Sequence, residues 1–591
     1  MNRARQLTLR FDADPVPDGA TASGRAPSGD RVARAFGDAV ARLHRRTGGD
    51  PRLAAVVERW AQQVWRQADA GHVCVEVADR GAREQLATSP AVDPPAELRD
   101  APLVLDGDAL YLRRLWQAEE RLASAVVALG APAPLAATAA VSAVVDSLFA
   151  PTEADDAQRD ALLRALGHRL TLLSGGPGTG KTTTLARLLV AFARLAPDAR
   201  VAFAAPTGKA AARLGQSLSE QLARFDPTGE LRARLPDAGT TVHRLLGIRA
   251  GETAAVRAST AFPLDYDLVL VDEASMLDIE IAAALVAAIG PNARLVLAGD
   301  RDQLASVEAG AVFADLCASA GAATVELVRN HRQKDAAHVV ALAAQVRDAS
   351  ARIPRESGRV AAPLQWPQAI ALRRPDPEAI VDEALAAWAE VREAIDARAA
   401  PERVLAACDR HRVLTALRGG PLGSVALNRR IAAEVRRRAA RRGGAGVFAS
   451  AQWYPGRLVM VTVNRPALGL FNGDVGVCLA LPADDGGDAR LVVAFSDARR
   501  FPVAQMPVCE DAWAMTVHKS QGSEFESVAL VLAPADHPLN TRELVYTGIT
   551  RARSRLAVWA ESDAVARAAL TRTQRHGRLS LRIAARTGAA K

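Results

Sequence analysis

The stretch GGPGTGKT at residues 175–182 leaves this chain few folds to choose from. It follows the short apolar run LTLLSG (170–175) and precedes TTTLARLLVAFARL, whose apolar residues recur at helical spacing. The local order is therefore strand, glycine-rich loop, helix. Gly175, Gly180, Lys181 and Thr182 satisfy the phosphate-loop pattern, and each residue type has a task. Glycines let backbone N–H groups approach phosphate oxygens, the Lys181 ammonium reaches the β and γ oxygens, and the Thr182 hydroxyl can ligate Mg²⁺. Gly176, Pro177, Gly178, Thr179 and Thr183 complete the expected ATP-binding loop, and the helix it opens favours a polyanion at its N-terminus.

Further apolar runs, RVAFAAPT (200–207), DLVLVDEAS (267–275) and ARLVLAGD (293–300), alternate with helical segments up to about residue 350. That order marks an α/β domain with a parallel sheet, whose ligands gather beyond the carboxyl ends of the strands. A Pro- and Arg-rich stretch at 353–377 reads as a boundary. A second α/β pattern follows, with RVLTAL (412–417), ESVALVLA (526–533) and RLAVWA (555–560). Between its strands, residues 457–481 and 489–496 alternate with turn signals such as NGD, predicting a small β-barrel-like insertion at about 450–512. Upstream, residues 31–150 read as mostly helical, with β-like GHVCVEV (71–77) and PLVLDGDALYL (102–112) and no catalytic constellation. The segment EVRRRAARRGG (434–444) suits either phosphate contacts or a solvated helix face.

A chain of 591 residues exceeds a single core, so three or more domains are expected. The formal charge of +8 fits a polyanionic partner such as nucleic acid, but over this length the surplus is mild and leaves the partner open. Five scattered cysteines without a C-x-x-C pair argue for free buried thiols in a reducing compartment and against a zinc or iron–sulfur site. No apolar run is long enough to span a bilayer, and the first 30 residues lack the apolar stretch of a signal peptide. They read as a disordered tail, and the expected location is cytoplasmic.

A phosphate loop needs a carboxylate strand to hold Mg²⁺ and activate water. Asp272 and Glu273, at the end of LVLVDEAS, supply it, Asp272 as the metal-side carboxylate and Glu273 as general base. Gln303, in GDRDQLASV at the next strand end, can hydrogen-bond the attacking water, or is simply a polar residue of a surface loop.

GGPGTGKT, APTGKAAARL (205–214), TTVHRLLG (240–247), LVDEASM (270–276), GDRDQL (299–304), RNHRQ (329–333), TVHKSQGSEF (516–525) and VYTGITRARSRL (545–556) fall in the order of the superfamily 1B helicase motifs. The set resembles the RecD family, the alpha subunit of exodeoxyribonuclease V (the RecBCD complex), strongly over 155–560 and also at GHVCVEV and PLVLDGDALYLRRLWQAEERLA. The resemblance implies two RecA-like parallel-sheet lobes: a first with leading helices at 116–355 and a second with the β-rich insertion at 356–591. Ahead of them, residues 31–115 are expected to form a partner-binding domain. A stand-alone relative in the family carries a longer N-terminal extension than this chain does.

The resemblance also implies roles. Gln158 matches the glutamine that reads adenine, while Arg332 and Arg551 match arginines that reach the γ-phosphate. Thr207, Lys209, Thr241, His243, Thr516, His518 and Lys519 match motifs that line the single-strand path. Short hydroxyl and cationic groups suit gripping phosphates without reading bases, although either histidine also suits an interior hydrogen-bonding role. The implied activity is ATP-driven, Mg²⁺-dependent 5′ to 3′ DNA translocation within a heterotrimer with RecB-like and RecC-like subunits, acting on DNA ends in break repair and recombination. Nuclease chemistry would then belong to a partner. A stand-alone DNA or RNA helicase, or an assembly subunit switched by ATP, remains open at this stage. Of 74 basic residues only five are lysine, and three of those (Lys181, Lys209 and Lys519) lie inside the motifs.

Overall fold

The computed structural model describes residues 28–149, 156–226, 229, 232, 235–236, 239–248, 263–319, 323–331, 336–349, 364–440, 452–481, 490–496 and 498–588. Two parallel sheets form its centre. In the first, the strand order is Thr324–Leu327, Leu170–Gly175, Arg294–Gly299, Leu268–Val271, Val201–Ala205, Thr240–Thr241, with every neighbouring pair parallel. Its four inner strands are buried along their whole length and read as largely apolar runs, because both faces are covered. Leu268 and Leu270 join one core with helices Lys181–Leu195 and Gly208–Phe225. Val269 and Val271 point the opposite way, into a core with helices Ile279–Ala287 and Val312–Ser319. That alternation is the two-residue period of a strand.

The second sheet repeats the logic, in the order Ala371–Arg373, Ala552–Trp559, Phe525–Val531, His411–Thr415, Ala514–Thr516, again parallel throughout. Val528 and Leu530 enter one core, Ala529 and Val531 the other. The expected β-rich insertion is a five-stranded antiparallel sheet, running Arg500–Pro502, Arg490–Phe495, Val475–Leu481, Leu458–Val461, Cys509–Asp511. It carries its own small core of Val459, Val461, Leu470, Val493 and Phe495.

At the N-terminal side, helices Ser28–Arg46 and Ala54–Asp69 pack on each other beside a four-stranded sheet. The helix begins at Ser28, slightly inside the tail expected to reach residue 30; residues 1–27 lie outside the described residues. Helix Arg113–Leu129 follows the hairpin Leu103–Asp106 and Ala109–Leu112, and buries Leu115 and Leu122 in a core continuous with one face of the first sheet.

The segment after residue 571 leaves the second lobe, whose sequence it follows. Helix Leu579–Thr587 packs on helices Arg113–Leu129 and Val312–Ser319, with Leu579 and Ile583 in the core they share. Arg582 anchors it, donating to Glu119 at 2.9 Å, Glu120 at 2.7 Å and Asp106 at 2.6 Å. Glu119 is fully buried. The backbone N–H of His576 donates to His72 Nδ1 at 3.0 Å, and the two rings stack 4.7 Å apart. All five cysteines are free thiols. Among the described residues no helix is long and apolar enough to cross a membrane.

Candidate nucleotide site and nucleic-acid track

The phosphate loop leaves strand Leu170–Gly175 and enters helix Lys181–Leu195. Gly178 and Gly180 take φ of +82° and +86°, a left-handed backbone that a side chain would strain. Lys181 Nζ donates to the Gly175 and Gly176 carbonyls at 2.6 and 3.2 Å, and Thr179 Oγ1 donates to Gly176 O at 2.8 Å. Asp272 and Glu273 follow strand Leu268–Val271, two strands away in the same sheet. Burial, followed by the adjacent Glu273 charge, raises the Asp272 pKa against the opposing pull of Lys181. Its Oδ1 accepts the Glu273 N–H at 2.9 Å. Glu273 sits at φ +53°, an uncommon conformation for a non-glycine residue.

The second lobe closes over this loop. A cavity of ≈ 360 Å³ is lined by Lys181, Thr182, Thr183, Asp272, Glu273 and Gln303 from the first lobe and by Gly522, Glu524 and Arg551 from the second. Arg551, buried, donates to the Gln303 side-chain oxygen and to Ser523 O at 3.2 Å. Gln303 Nε2 in turn donates to Asp300 Oδ2 at 3.0 Å. Gln303 is thus a buried residue of the interlobe contact, not a polar residue of a surface loop. Gln158 is also buried; its Oε1 accepts from Arg187 at 2.7 Å, and its Nε2 would lie 2.7 Å from a Cβ placed on Gly180. Arg332 lies outside the described residues.

Sequence reasoning passed over several residues that the fold adds to this site. Tyr546 donates to Asp300 Oδ2 at 3.0 Å, and its hydroxyl would meet a Cβ on Gly176 at 2.9 Å. Burial and the carboxylate hold its pKa well above the ordinary tyrosine value. Leu304 N donates to Thr547 Oγ1 at 2.9 Å and Gln521 Nε2 to Leu304 O at 2.9 Å. Arg213, on helix Gly208–Phe225, crosses the cleft to Glu524 at 2.7 Å. Thr547 and Arg551 are four residues apart on one helical face, a spacing visible in VYTGITRARSRL; the remaining pairings are long-range and leave no local sequence trace.

The residues expected along the nucleic-acid path occupy several surfaces. Thr207 stands just beyond strand Val201–Ala205 and Thr241 ends the neighbouring parallel strand (Ala205 pairs with Thr241), and each hydroxyl caps a helix, accepting from Ala210 N and Arg244 N at 3.2 Å. Thr516 ends the edge strand of the second sheet opposite Thr415, and its hydroxyl accepts from Lys519 N at 3.4 Å. Lys209 is part-buried and faces a cavity of ≈ 950 Å³ between the first lobe, the second lobe and the insertion, shared with Arg410, Asp474, Arg499 and Arg553. Burial lowers its pKa, with Asp409 opposing the shift. Lys519 is exposed and pairs with Glu510. Burial and then Arg575 lower the pKa of part-buried His518. His243 is exposed and lines a smaller pocket with Arg114, Asp278, Glu280 and Glu308, toward the N-terminal domain. An interior role for His243 is thereby removed.

Residues 153–362 match the AAA domain model and residues 511–559 the UvrD-like helicase C-terminal domain model. The chain is similar to the RecBCD enzyme subunit RecD of Mycolicibacterium smegmatis, 39% identical over 526 residues that cover 86% of this chain and 90% of the relative. The same subunit of Haemophilus influenzae is 31% identical over 78% of each chain. The ATP-dependent RecD2 DNA helicase of Deinococcus radiodurans is 33% identical over 76% of this chain and 54% of its own length. A solved Pif1 helicase from Candida albicans covers 74% of this chain and 99% of its own, at 16% identity and a TM-score of 0.35. On the identity and coverage of the RecD subunits, this chain belongs to the RecD family and is an ATP-dependent DNA helicase.

Proposed function

We propose that this chain is a 5′ to 3′ single-stranded DNA motor, working beside RecB-like and RecC-like subunits on DNA ends in double-strand break repair and homologous recombination. The observation that carries the motor reading is the interlobe cavity, which takes Lys181, Thr182, Asp272, Glu273 and Gln303 from one lobe and Arg551 from the other. A site divided between two bodies changes shape when its ligand is cleaved. Hydrolysis there is therefore tied to lobe movement.

The donor set fits Mg²⁺: a threonine hydroxyl and a part-buried carboxylate that shares its site with a second negative charge. Thr182 and Asp272 would hold the ion, which when bound neutralises charge on the β- and γ-phosphates. Lys181 and the loop N–H groups orient the triphosphate. Glu273 takes the proton of the attacking water. Gln303 positions that water, and Arg551, with Arg332, stabilises charge developing on the γ-phosphate. Gln158 meets the base edge. On the nucleic-acid side, Thr207, Lys209, Thr241, His243, Thr516, His518 and Lys519 hold backbone phosphates, so grip does not depend on sequence. Strand cleavage falls to a partner subunit.

The test is translocation on single strands of defined polarity, with ATP and Mg²⁺, for the wild type and Lys181→Gln. Directional movement from the 5′ end, abolished in Lys181→Gln, is expected. Movement toward the 5′ end, or unwinding from 5′-ended strands by an assembled complex that is unchanged in Lys181→Gln, would sink the proposal.

A further inference from the structure

We infer that Arg575 is a positioning residue for ATP hydrolysis, holding the loop that carries Gln303 in place through the Ser306 carbonyl; the inference rests on Gln303 positioning the attacking water. Gln303 belongs to the loop between strand Arg294–Gly299 and helix Val312–Ser319. The second lobe grips this loop at Leu304, through Thr547 and Gln521. At Ser306 a different element takes over. Arg575 Nη2 donates to the carbonyl of buried Ser306 at 3.2 Å, while Nη1 of the same guanidinium donates at 2.9 Å to Ala70 O, just beyond helix Ala54–Asp69 of the N-terminal side.

The guanidinium sits in a seat that only glycine leaves open. Gly71 has φ of +90°, and a Cβ there would lie 0.8 Å from Arg575 Nη1, so a side chain at this position is excluded both by the backbone and by the arginine. The Gly71 carbonyl accepts the Gly310 N–H at 2.9 Å, which fastens the far end of the same loop. Arg578 and Arg582, further along the segment, pair with the carboxylates of Asp108 and Glu119. Arg575 differs from both: among the described residues no carboxylate pairs with it, and its two hydrogen bonds end on backbone carbonyls. A planar fork that spans two carbonyls fixes the spacing between them. Just upstream, the Thr573 N–H and hydroxyl donate to Glu543 at 2.8 and 2.9 Å, and Glu543 lies on helix Arg542–Thr550, which leads into Arg551. The segment thus ties the helix of Arg551 to the loop of Gln303. Without Arg575 the loop keeps its hold at Leu304 and loses the one at Ser306. Gln303 then spends less time where the water needs it, which slows the chemical step without weakening nucleotide binding.

The experiment is a double-mutant cycle between Arg575→Met and Gln303→Ala, read as kcat and KM for ATP hydrolysis by the full chain with single-stranded DNA and Mg²⁺. Arg575→Met is expected to lower kcat about tenfold or more, on the scale of one charge-assisted hydrogen bond, with the KM for ATP within about twofold of wild type. In the Gln303→Ala background the same substitution should change kcat by less than about twofold, because the group it positions is gone. Arg578→Ala loosens the same segment without touching the loop, and its kcat should stay within about twofold of wild type. If Arg575→Met is poorly folded, Arg575→Lys runs the same cycle: the ammonium keeps the charge but is no fork, so kcat should fall about three- to tenfold with Gln303 present and hold steady without it. An unchanged kcat in folded Arg575→Met, a loss that persists in full on Gln303→Ala, a raised KM in place of a lowered kcat, or an equal loss in Arg578→Ala overturns the assignment of Arg575. A Gln303→Ala protein with wild-type kcat shows instead that Gln303 does not position the water, and the inference falls with that reading.

Discussion

Glu273 combines two properties that seldom meet in one residue: a carboxylate aligned with a phosphate loop and a left-handed backbone. The strain persists because the preceding strand and the Asp272 contact fix the turn. Glu273→Gln keeps the shape and removes the base, so ATP hydrolysis should fall by about 10²- to 10⁴-fold while nucleotide binding, followed by fluorescence titration, stays near wild type. At Tyr546 the consequence concerns the lobe contact. Tyr546→Phe leaves Asp300 with Gln303 but without its donor from the second lobe. Thermal unfolding should show a loss of about 1–3 kcal/mol for the buried bond. The phosphate loop was legible residue by residue because its chemistry is contained in eight consecutive positions. Arg213 and Arg187 were not, because each acquires meaning only from a distant partner: Glu524 is 311 residues from Arg213, and Gln158 lies on a different helix from Arg187.

At the scale of elements, the alternation of core faces along Leu268–Val271 and Phe525–Val531 is written in apolar runs, so both sheets and the insertion could be read from sequence. Helix Leu579–Thr587 could not be placed, since an amphipathic helix states that it packs without stating where. Its anchor makes a quantitative prediction. Arg582→Ala takes the cation from the fully buried Glu119 carboxylate, which keeps the Tyr111 hydroxyl and the Arg578 N–H as donors, and chemical denaturation should show the N-terminal side of the fold destabilised by about 3–5 kcal/mol. The same segment carries a pH dependence. His72 accepts the His576 N–H and must be neutral to do so; burial, then the neighbouring His576 and Arg575, pulls its pKa down to about 4. The unfolded chain therefore binds a proton that the folded chain refuses. Stability from this contact is complete above about pH 6.5 and is lost as pH falls from there toward 4. His72→Asn keeps an acceptor that does not titrate, so its thermal midpoint should lose less over that window than the wild type's.

For the whole molecule, the two lobes meet through a chain of side chains, Tyr546 to Asp300 to Gln303 to Arg551, that leaves helix Arg542–Thr550 of the second lobe, crosses to the first lobe and returns to the C-terminal end of the same helix. Arg551 is the member that touches both a catalytic candidate and the other lobe. Arg551→Ala should lower DNA-stimulated ATP hydrolysis by about 10³-fold or more, and should also weaken the dependence of nucleotide affinity on bound single-stranded DNA, measured as the ratio of nucleotide dissociation constants with and without DNA. Loss of hydrolysis with that ratio unchanged would separate the chemical role from the coupling role.

The return of residues 572–588 to the N-terminal domain also sets a clock on synthesis. Glu119 and its anchor Arg582 are 463 residues apart in the chain. At about 5–20 residues per second, Glu119 leaves the ribosome roughly half a minute to a minute and a half before the arginine that neutralises it. Through that interval the hydrophobic layer that Leu579 and Ile583 will complete stays open on one side. The N-terminal domain is therefore the earliest part made and among the last to be sealed, which makes its closure a report that both motor lobes have already been translated.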